Sequence, residues 1–331
     1  MRAAVVGTGA WGTTLAVLLA NNGHEVSLIC RTRDEARTLA TDGENRRFRP
    51  GLRFPRNLNV QDSPAEVLGA AIVVLAVPSA AMRANLDAVV PFIRREVTLI
   101  SAAKGIDAGT GLTMSGVIAA AGFSPAQVCV LSGPNLSEEI ARGLPAATVI
   151  AGSDARRTAD AQAAFMSERF RVYTSDDVVG VELGGALKNI AAIACGISDG
   201  LGSGQNAKAA LMTRALAEVT RLGISCGARA TTFLGLSGIG DLIASCESDL
   251  SRNRRLGLAL AAGQSLADAL AGIDGVVEGV ATTKAALVLA RAKRVEMPIA
   301  EELHAVLFEG KPPLQSMVEL MRRAPKQEFQ D

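Results

Sequence analysis

A chain that carries Gly7-Thr8-Gly9-Ala10-Trp11-Gly12 between a strand and a helix has few folds open to it. Ahead of this segment, Arg2-Ala3-Ala4-Val5-Val6 is apolar without alternation, as in a central parallel strand covered on both faces. Behind it a helical run extends from Thr13 to about Asn22, and Glu25–Ile29 forms a second strand. The GxGxxG spacing alone is a weak signal in a chain with 33 glycines. Set between strand, helix and strand it becomes a dinucleotide fingerprint. The glycines permit a tight turn and a close approach of backbone to pyrophosphate, whose charge sits on the helix N-terminus.

The end of the second strand normally selects the ribose. An Asp or Glu there would bind the free 2′-hydroxyl of NAD, whereas this chain offers Cys30-Arg31-Thr32-Arg33, with no acid until Asp34. Arginine suits the 2′-phosphate of NADP, so NADP is favoured and NAD stays open. The alternative is that these arginines are solvated loop residues.

Further strand ends point to the same edge. Ala71–Val77 is a buried strand stopped by Pro78; Val97–Ile100 runs into Ser101-Ala102-Ala103-Lys104-Gly105; Val128–Leu131 ends in Ser132-Gly133-Pro134-Asn135, with a helix starting near Ser137. Ligands of open parallel sheets bind at the carboxyl ends of the strands, so Lys104 and Gly133–Asn135 converge on the fingerprint. A lysine after a strand is commonly a solvated charge, and only its place beside the fingerprint argues for a role. Glu44–Pro55 is basic, proline-punctuated and without period, and is expected to be a long loop over the site. Ala147–Ala151 and Phe170–Tyr173 extend the sheet to about Thr174.

Beyond Asp176 the strand signals stop. Val178–Cys195 is apolar almost all round, the pattern of a buried helix, and Lys188 is its only basic residue. The helical neighbours of Lys188 are Gly184, Gly185, Ala191 and Ala192, all small. Each glycine costs a helix about 1 kcal/mol against alanine. Either the glycines serve close packing, or they clear bulk around a buried amine that a ligand must reach. An unpaired buried ammonium is expensive, which makes Lys188 a candidate for chemistry. Further helices are expected over Asn206–Leu222, Ser251–Ala262, Gly279–Ala292 and Pro298–Phe308, joined by glycine-rich connections such as Gly235–Asp241, with a polar, frayed tail from Arg322. Ser251-Arg252-Asn253-Arg254-Arg255 puts an N-cap serine and cations in a first helical turn. The cations oppose the helix dipole there unless a bound anion offsets them; a surface charge cluster is the plainer alternative.

The chain therefore reads as two domains: residues 1–175, an α/β Rossmann domain with a mostly parallel doubly wound sheet, and residues 176–331, an all-α substrate and catalytic domain. With 34 basic against 33 acidic residues and no basic run, nucleic acid is not an expected partner. Five cysteines without a CxxC pair read as reduced thiols. The start shows no secretory core and no uncharged apolar run nears the ~20 residues of a bilayer span, so a soluble cytoplasmic enzyme or binding protein is expected. Only two histidines occur, neither with ligand or nucleophile spacing, which leaves no expectation of a metal site or a histidine triad.

Together these motifs resemble the bacterial NAD(P)-dependent sn-glycerol-3-phosphate dehydrogenases. The matching segments are GTGAWGTTLA, AVPS, SAAKGI, LSGPN with EIARGLPAAT, GVELGGALKNIAAIACGISDGLG with NAKAAL, GLSGIGDLIASC, SRNRR and VVEGVATT, in order along nearly the whole chain. LGGALKN and SRNRR are far more specific than GxGxxG. The resemblance implies a helical domain of the 6-phosphogluconate-dehydrogenase-like type and reversible reduction of dihydroxyacetone phosphate to sn-glycerol 3-phosphate, feeding glycerophospholipid synthesis. It implies Lys188 as the catalytic proton donor, and Lys104, Gly133, Asn135, Asp241, Ser251, Arg252 and Asn253 as substrate contacts. Beside Gly7, Gly9 and Gly12, it implies Ala10, Trp11, Arg31, Phe48, Lys104, Ser137, Arg252, Val276 and Glu278 around the NAD(P). Phe48 departs from the tyrosine of many relatives and lacks its hydroxyl; Ser137 stands where a small residue, often Ala, is common. In this mechanism burial and Lys104 lower the proton affinity of Lys188, while Asp241 orients Lys188 or a substrate hydroxyl and its charge partly offsets the lowering. A homodimer is one expectation for the assembly, which the sequence leaves open. The rival readings are a β-hydroxyacid or ketopantoate dehydrogenase, which SRNRR disfavours, and an NADP-sensing regulator, which would not need Lys188.

Overall fold

The computed structural model describes residues 1–325, 327 and 328. Among the described residues ten strands form: β1 (Arg2–Val6), β2 (Glu25–Ile29), β3 (Glu44–Asn45), β4 (Arg49–Arg53), β5 (Leu58–Gln61), β6 (Ile72–Leu75), β7 (Thr98–Ser101), β8 (Val128–Ser132), β9 (Ala146–Gly152) and β10 (Phe170–Ser175). Eight of them make one sheet in the order β10-β9-β8-β7-β6-β1-β2-β5. Every pairing is parallel except β8 with β9. β1 lies between β6 and β2, so the strand order reverses beside it, and that reversal opens a crevice at the carboxyl edge. β6, β7 and β8 are buried along their whole lengths, which accounts for their unalternating apolar sequences. The sheet class is the expected one.

The segment after residue 43 is not the long loop expected of it. β3 and β4 pair antiparallel, and the hairpin is fastened by side chains rather than by apolar pattern. Asn45 donates to the Thr8 carbonyl at 2.7 Å and to Thr13 Oγ1 at 2.9 Å, while Glu44 accepts from the Gly51 N–H at 2.8 Å. The hairpin is thereby tied to the fingerprint turn and hangs over the crevice. β5, a four-residue edge strand, also escaped the sequence pattern: unlike β6 and β7 it is only partly buried and lacks their continuous apolar run.

The remainder is helical and wraps around Val178–Gly200, a 23-residue helix with Lys188 near its middle. It is long and apolar enough to cross a bilayer, yet 83% of its most apolar window is buried against the rest of the chain, so it is a core helix. Asp177 caps it through the Gly180 N–H at 2.9 Å and also accepts from the Arg229 N–H at 2.9 Å. Around it lie Gly204–Ser225, Arg252–Ala261, Glu278–Lys293 and Pro298–Phe308, close to the expected limits. The connection Gly235–Asp241 leads directly into a further helix, Asp241–Glu247, which its glycines concealed. Leu266–Ala271 and Pro313–Met321 are likewise helices with too few turns to show a period. The far end of the expected frayed tail, Lys326 and residues 329–331, lies outside the described residues.

Helix Arg252–Ala261 crosses the long helix with almost no space between the backbones. A Cβ on Gly257 would stand 2.8 Å from the Gly196 Cα, so glycine is required at this crossing. The two halves are also joined by buried acids. Glu182, on the long helix, accepts from the Ser115 N–H at 2.7 Å and from its hydroxyl, at the start of helix Met114–Ala120. Burial pushes its carboxyl above the usual range, and the two Ser115 donors oppose that rise. All five cysteines are free thiols, and four of them are buried.

Candidate active site

A cavity of about 490 Å³ opens between the carboxyl edge of the sheet and the helical half. The fingerprint turn forms its floor. Gly7 has φ +112°, and a Cβ there would stand 2.7 Å from the Ala76 carbonyl oxygen. Gly12 packs against the Gly7 carbonyl, so both glycines shape the turn without lining the cavity. Gly9, Ala10 and Trp11 do line it. Gly9 precedes helix Ala10–Asn21 with no side chain capping the first N–H groups, and a Cβ on Gly9 would meet nothing within 4 Å. An open glycine before an uncapped helix start is what a pyrophosphate requires, so these residues fit a dinucleotide.

At the end of β2, Arg31 is exposed and does not line the cavity. The acid that scanning for an adjacent residue misses is Glu35. It lies in the first turn of helix Arg33–Asp42 and folds back, accepting from Thr8 Oγ1 at 2.5 Å and from the Arg31 N–H at 3.1 Å. Phe48 lines the cavity from the hairpin, with the Arg47 guanidinium 4.9 Å from its ring centre. Arg49, beside it, donates to Ser137 Oγ.

The deepest part holds three charges. Asp241, 2% exposed, gives one oxygen to Lys104 Nζ at 2.6 Å and the other to Lys188 Nζ at 2.9 Å. Lys104 also donates to the Gly133 carbonyl at 2.8 Å, and Lys188 to Ser245 Oγ. Both lysines line the cavity, whereas Asp241 and Gly133 lie behind them and act through them. The structure locates a depressed amine at Lys104, at about 8: burial lowers it, the Asp241 charge opposes, and the Lys188 charge lowers it further.

The glycines near Lys188 also have another cause than the clearing of ligand space. A Cβ on Gly184 would stand 2.5 Å from the Ser237 carbonyl oxygen, and one on Gly185 would strike the Ser132 hydroxyl. Both admit neighbouring chain, from the Gly235–Asp241 connection and from the end of β8, and the packing alternative is the correct one.

On the helical side, Ser251 caps helix Arg252–Ala261 through the Arg254 N–H at 3.3 Å. Asn253 accepts from the Gly279 N–H at 3.0 Å and donates to Asn189 Oδ1 at 2.9 Å. Ser251, Arg252, Asn253 and Arg255 line the cavity, while Arg254 turns away to Asp199 at 2.8 Å, so the basic cluster is only partly a ligand surface. Val276 and Glu278 complete this wall. Glu278 accepts from the Ser79 N–H at 3.1 Å and its hydroxyl at 2.6 Å, joining the two halves at the rim. Burial raises its carboxyl, against the Ser79 donors and the Arg252 charge. Asn135 and Ser137 lie opposite; Asn135 donates to Thr148 Oγ1 at 3.0 Å, and its Oδ1 is buried without a partner. The expected residues that line the cavity are thus Gly9, Ala10, Trp11, Phe48, Lys104, Asn135, Ser137, Lys188, Ser251–Asn253, Val276 and Glu278. Sequence reasoning missed Asn189, Ser245, Arg49 and Glu35. Ser245 had a signal, since it follows Asp241 by one helical turn.

Residues 2–158 match the N-terminal family profile, and residues 177–318 the C-terminal one, of NAD-dependent glycerol-3-phosphate dehydrogenase. The chain belongs to that family. Among curated relatives, glycerol-3-phosphate dehydrogenase [NAD(P)+] of Moorella thermoacetica is 47% identical over 97% of this chain and 95% of its own length. That of Corynebacterium glutamicum is 48% identical over 98% of both. The crystal structure of glycerol-3-phosphate dehydrogenase from Coxiella burnetii superposes with a TM-score of 0.93 at 38% identity, covering 97% of this chain and 99% of that one. A ketopantoate reductase from Ralstonia eutropha shares the fold alone, with a TM-score of 0.59 at 18% identity, 97% of this chain and 100% of the other being covered.

Proposed function

We propose that this chain catalyses the reversible reduction of dihydroxyacetone phosphate to sn-glycerol 3-phosphate with NAD(P)H, and that Lys188 is the proton donor. The observation that carries the reading is the amine of Lys188 at the cavity wall, fixed by Asp241 and Ser245. A nicotinamide cofactor held at the fingerprint would supply the hydride for C2 of the substrate. Negative charge then builds on the carbonyl oxygen, and an ammonium already held in place stabilises it and gives up a proton. Two lysines against one carboxylate leave this corner net positive, which suits that charge. Ser251, Arg252 and Asn253 hold the phosphate and place C2, so that binding energy remote from the reacting bond is used for alignment.

In this reading residues 1–175 bind the nucleotide and residues 176–331 supply the substrate and catalytic groups. Arg31 at the end of β2 favours NADP over NAD, while Glu35 is occupied by Thr8 and by the Arg31 backbone. The enzyme works in the cytoplasm as a homodimer, and its product feeds glycerophospholipid synthesis. Loss of absorbance at 340 nm with dihydroxyacetone phosphate, and none with ketopantoate, is the expected result. Turnover of ketopantoate alone would overturn the assignment, and binding of NADPH without turnover of either would leave a sensor.

A further inference from the structure

The cavity carries more positive charge than these roles use. Arg49 enters it from the sheet side, on β4. One Nη donates to Ser137 Oγ, while Nε is buried with no hydrogen-bond partner. Arg252 enters from the helical side, and its guanidinium lies so close over Gly275 that a Cβ there would stand 2.6 Å from Nη1. Neither guanidinium has an ion-pair partner among the described residues. Burial holds Arg49 below the usual arginine range; Glu138 opposes that, and the Arg252 charge adds to it. Burial lowers Arg252 as well, against Glu278 and with Arg255. Arg49 is half-buried and Arg252 exposed, and two like charges that line one cavity from its two sides repel unless an anion lies between them.

We propose that Arg49 and Arg252 close on one phosphate group, Arg49 being the ligand that the β3–β4 hairpin contributes. This rests on the reading of the cavity as the site of dihydroxyacetone phosphate and NAD(P). Both molecules carry phosphate, so the clamp takes either the substrate ester or the cofactor pyrophosphate. Ser137 occupies one Nη, and the free Nε and second Nη remain for phosphate oxygens, as in the forked pairing that guanidinium makes with oxyanions.

Two variants test the clamp. Arg49→Met keeps the stem and removes the charge; Arg49→Gln removes the charge but keeps a donor for Ser137. For each, NADH and NADPH dissociation constants, the KM for dihydroxyacetone phosphate and the inhibition constant of inorganic phosphate are compared with the unmodified enzyme. A substrate clamp raises the KM and the phosphate inhibition constant by ~10- to 150-fold in both variants and leaves the nucleotides unchanged. A pyrophosphate clamp weakens both nucleotides by a similar factor and leaves phosphate inhibition unchanged. In either case Arg49→Met combined with Arg252→Met loses less than the product of the single losses, because the two act on one group. Normal constants in Arg49→Gln, with or without losses in Arg49→Met, would overturn the clamp and leave Arg49 as a prop for Ser137. Absence of turnover in the unmodified enzyme would instead sink the dehydrogenase reading, and the nucleotide and phosphate constants would still decide the clamp.

Discussion

Lys104 and Lys188 are held by opposite oxygens of one carboxylate: Asp241 stands 2.6 Å from the first amine and 2.9 Å from the second. The two lysines come from different halves of the chain, one after β7 and one within the long helix. Asp241 thereby couples the two amines, and on the proposed mechanism it positions the proton donor from behind the cavity wall.

Replacing Lys188 by Met removes the charge and keeps the length. NADH and NADPH binding should persist, since the fingerprint and Arg31 are untouched. Turnover of dihydroxyacetone phosphate should fall by at least ~100-fold, the usual contribution of a positioned proton donor. A folded, cofactor-binding variant with near-normal turnover would sink the mechanism.

The depressed amine of Lys104 sets a pH limit. With its proton affinity at about 8 instead of 10.5, Lys104 loses its charge as pH rises through 8 in the folded enzyme. The KM for dihydroxyacetone phosphate should therefore rise above about pH 8. In Lys104→Arg, which keeps its charge, that rise should vanish even if the KM is worse throughout. The same shift makes the folded state bind fewer protons than the unfolded chain between 8 and 10.5, so this residue contributes an increase in stability with pH across that window.

The Arg31 N–H and the Glu35 carboxylate meet at the end of β2, which the proposed function assigns to the ribose. Arg31→Glu should weaken NADPH much more than NADH, as measured by fluorescence titration of each. Equal loss for both would show that Arg31 does not read the 2′-phosphate.

Glu218 is a pH-sensitive joint away from the site. It is 5% exposed and accepts from the Ile299 N–H at 2.9 Å, at the start of helix Pro298–Phe308. Burial pushes its carboxyl up from 4.5 to about 7, against the Ile299 contact. The folded state then holds a proton that the unfolded chain has released, so stability falls as pH rises from 4.5 to 7 and stays reduced above. At about 1.4 kcal/mol per pKa unit this amounts to roughly 3 kcal/mol. Glu218→Gln should flatten the melting temperature over that range; an unchanged slope would refute the assignment.

The parts that sequence made legible are those whose pattern repeats over several turns or sits in a fixed local order. Strand β1, the fingerprint and helix Pro298–Phe308 are of this kind. The β3–β4 hairpin was hidden because Asn45 holds it by reaching the Thr8 carbonyl, a contact between residues 37 apart with no local period. Glu35 was hidden because it lies a helical turn beyond the strand end and reaches Thr8 and the Arg31 N–H only by folding back. Arg49 looked like one charge among several in a basic stretch; only the arrival of Arg252 from the other half gives it meaning. For Gly184 and Gly185, composition posed the right question, but the answer lay in Ser237 and Ser132, neither near in sequence.

The crossing of Gly196 and Gly257 turns the site into a gauge. One helix carries Lys188 and the other Arg252 and Asn253, and their spacing is set where two α-carbons meet without side chains. On the proposed mechanism that spacing would fix how far a bound phosphate sits from the proton donor. A methyl group at Gly257 would strike the Ile193 carbonyl oxygen and force the two helices apart, and turnover should fall although the change touches neither end of the substrate.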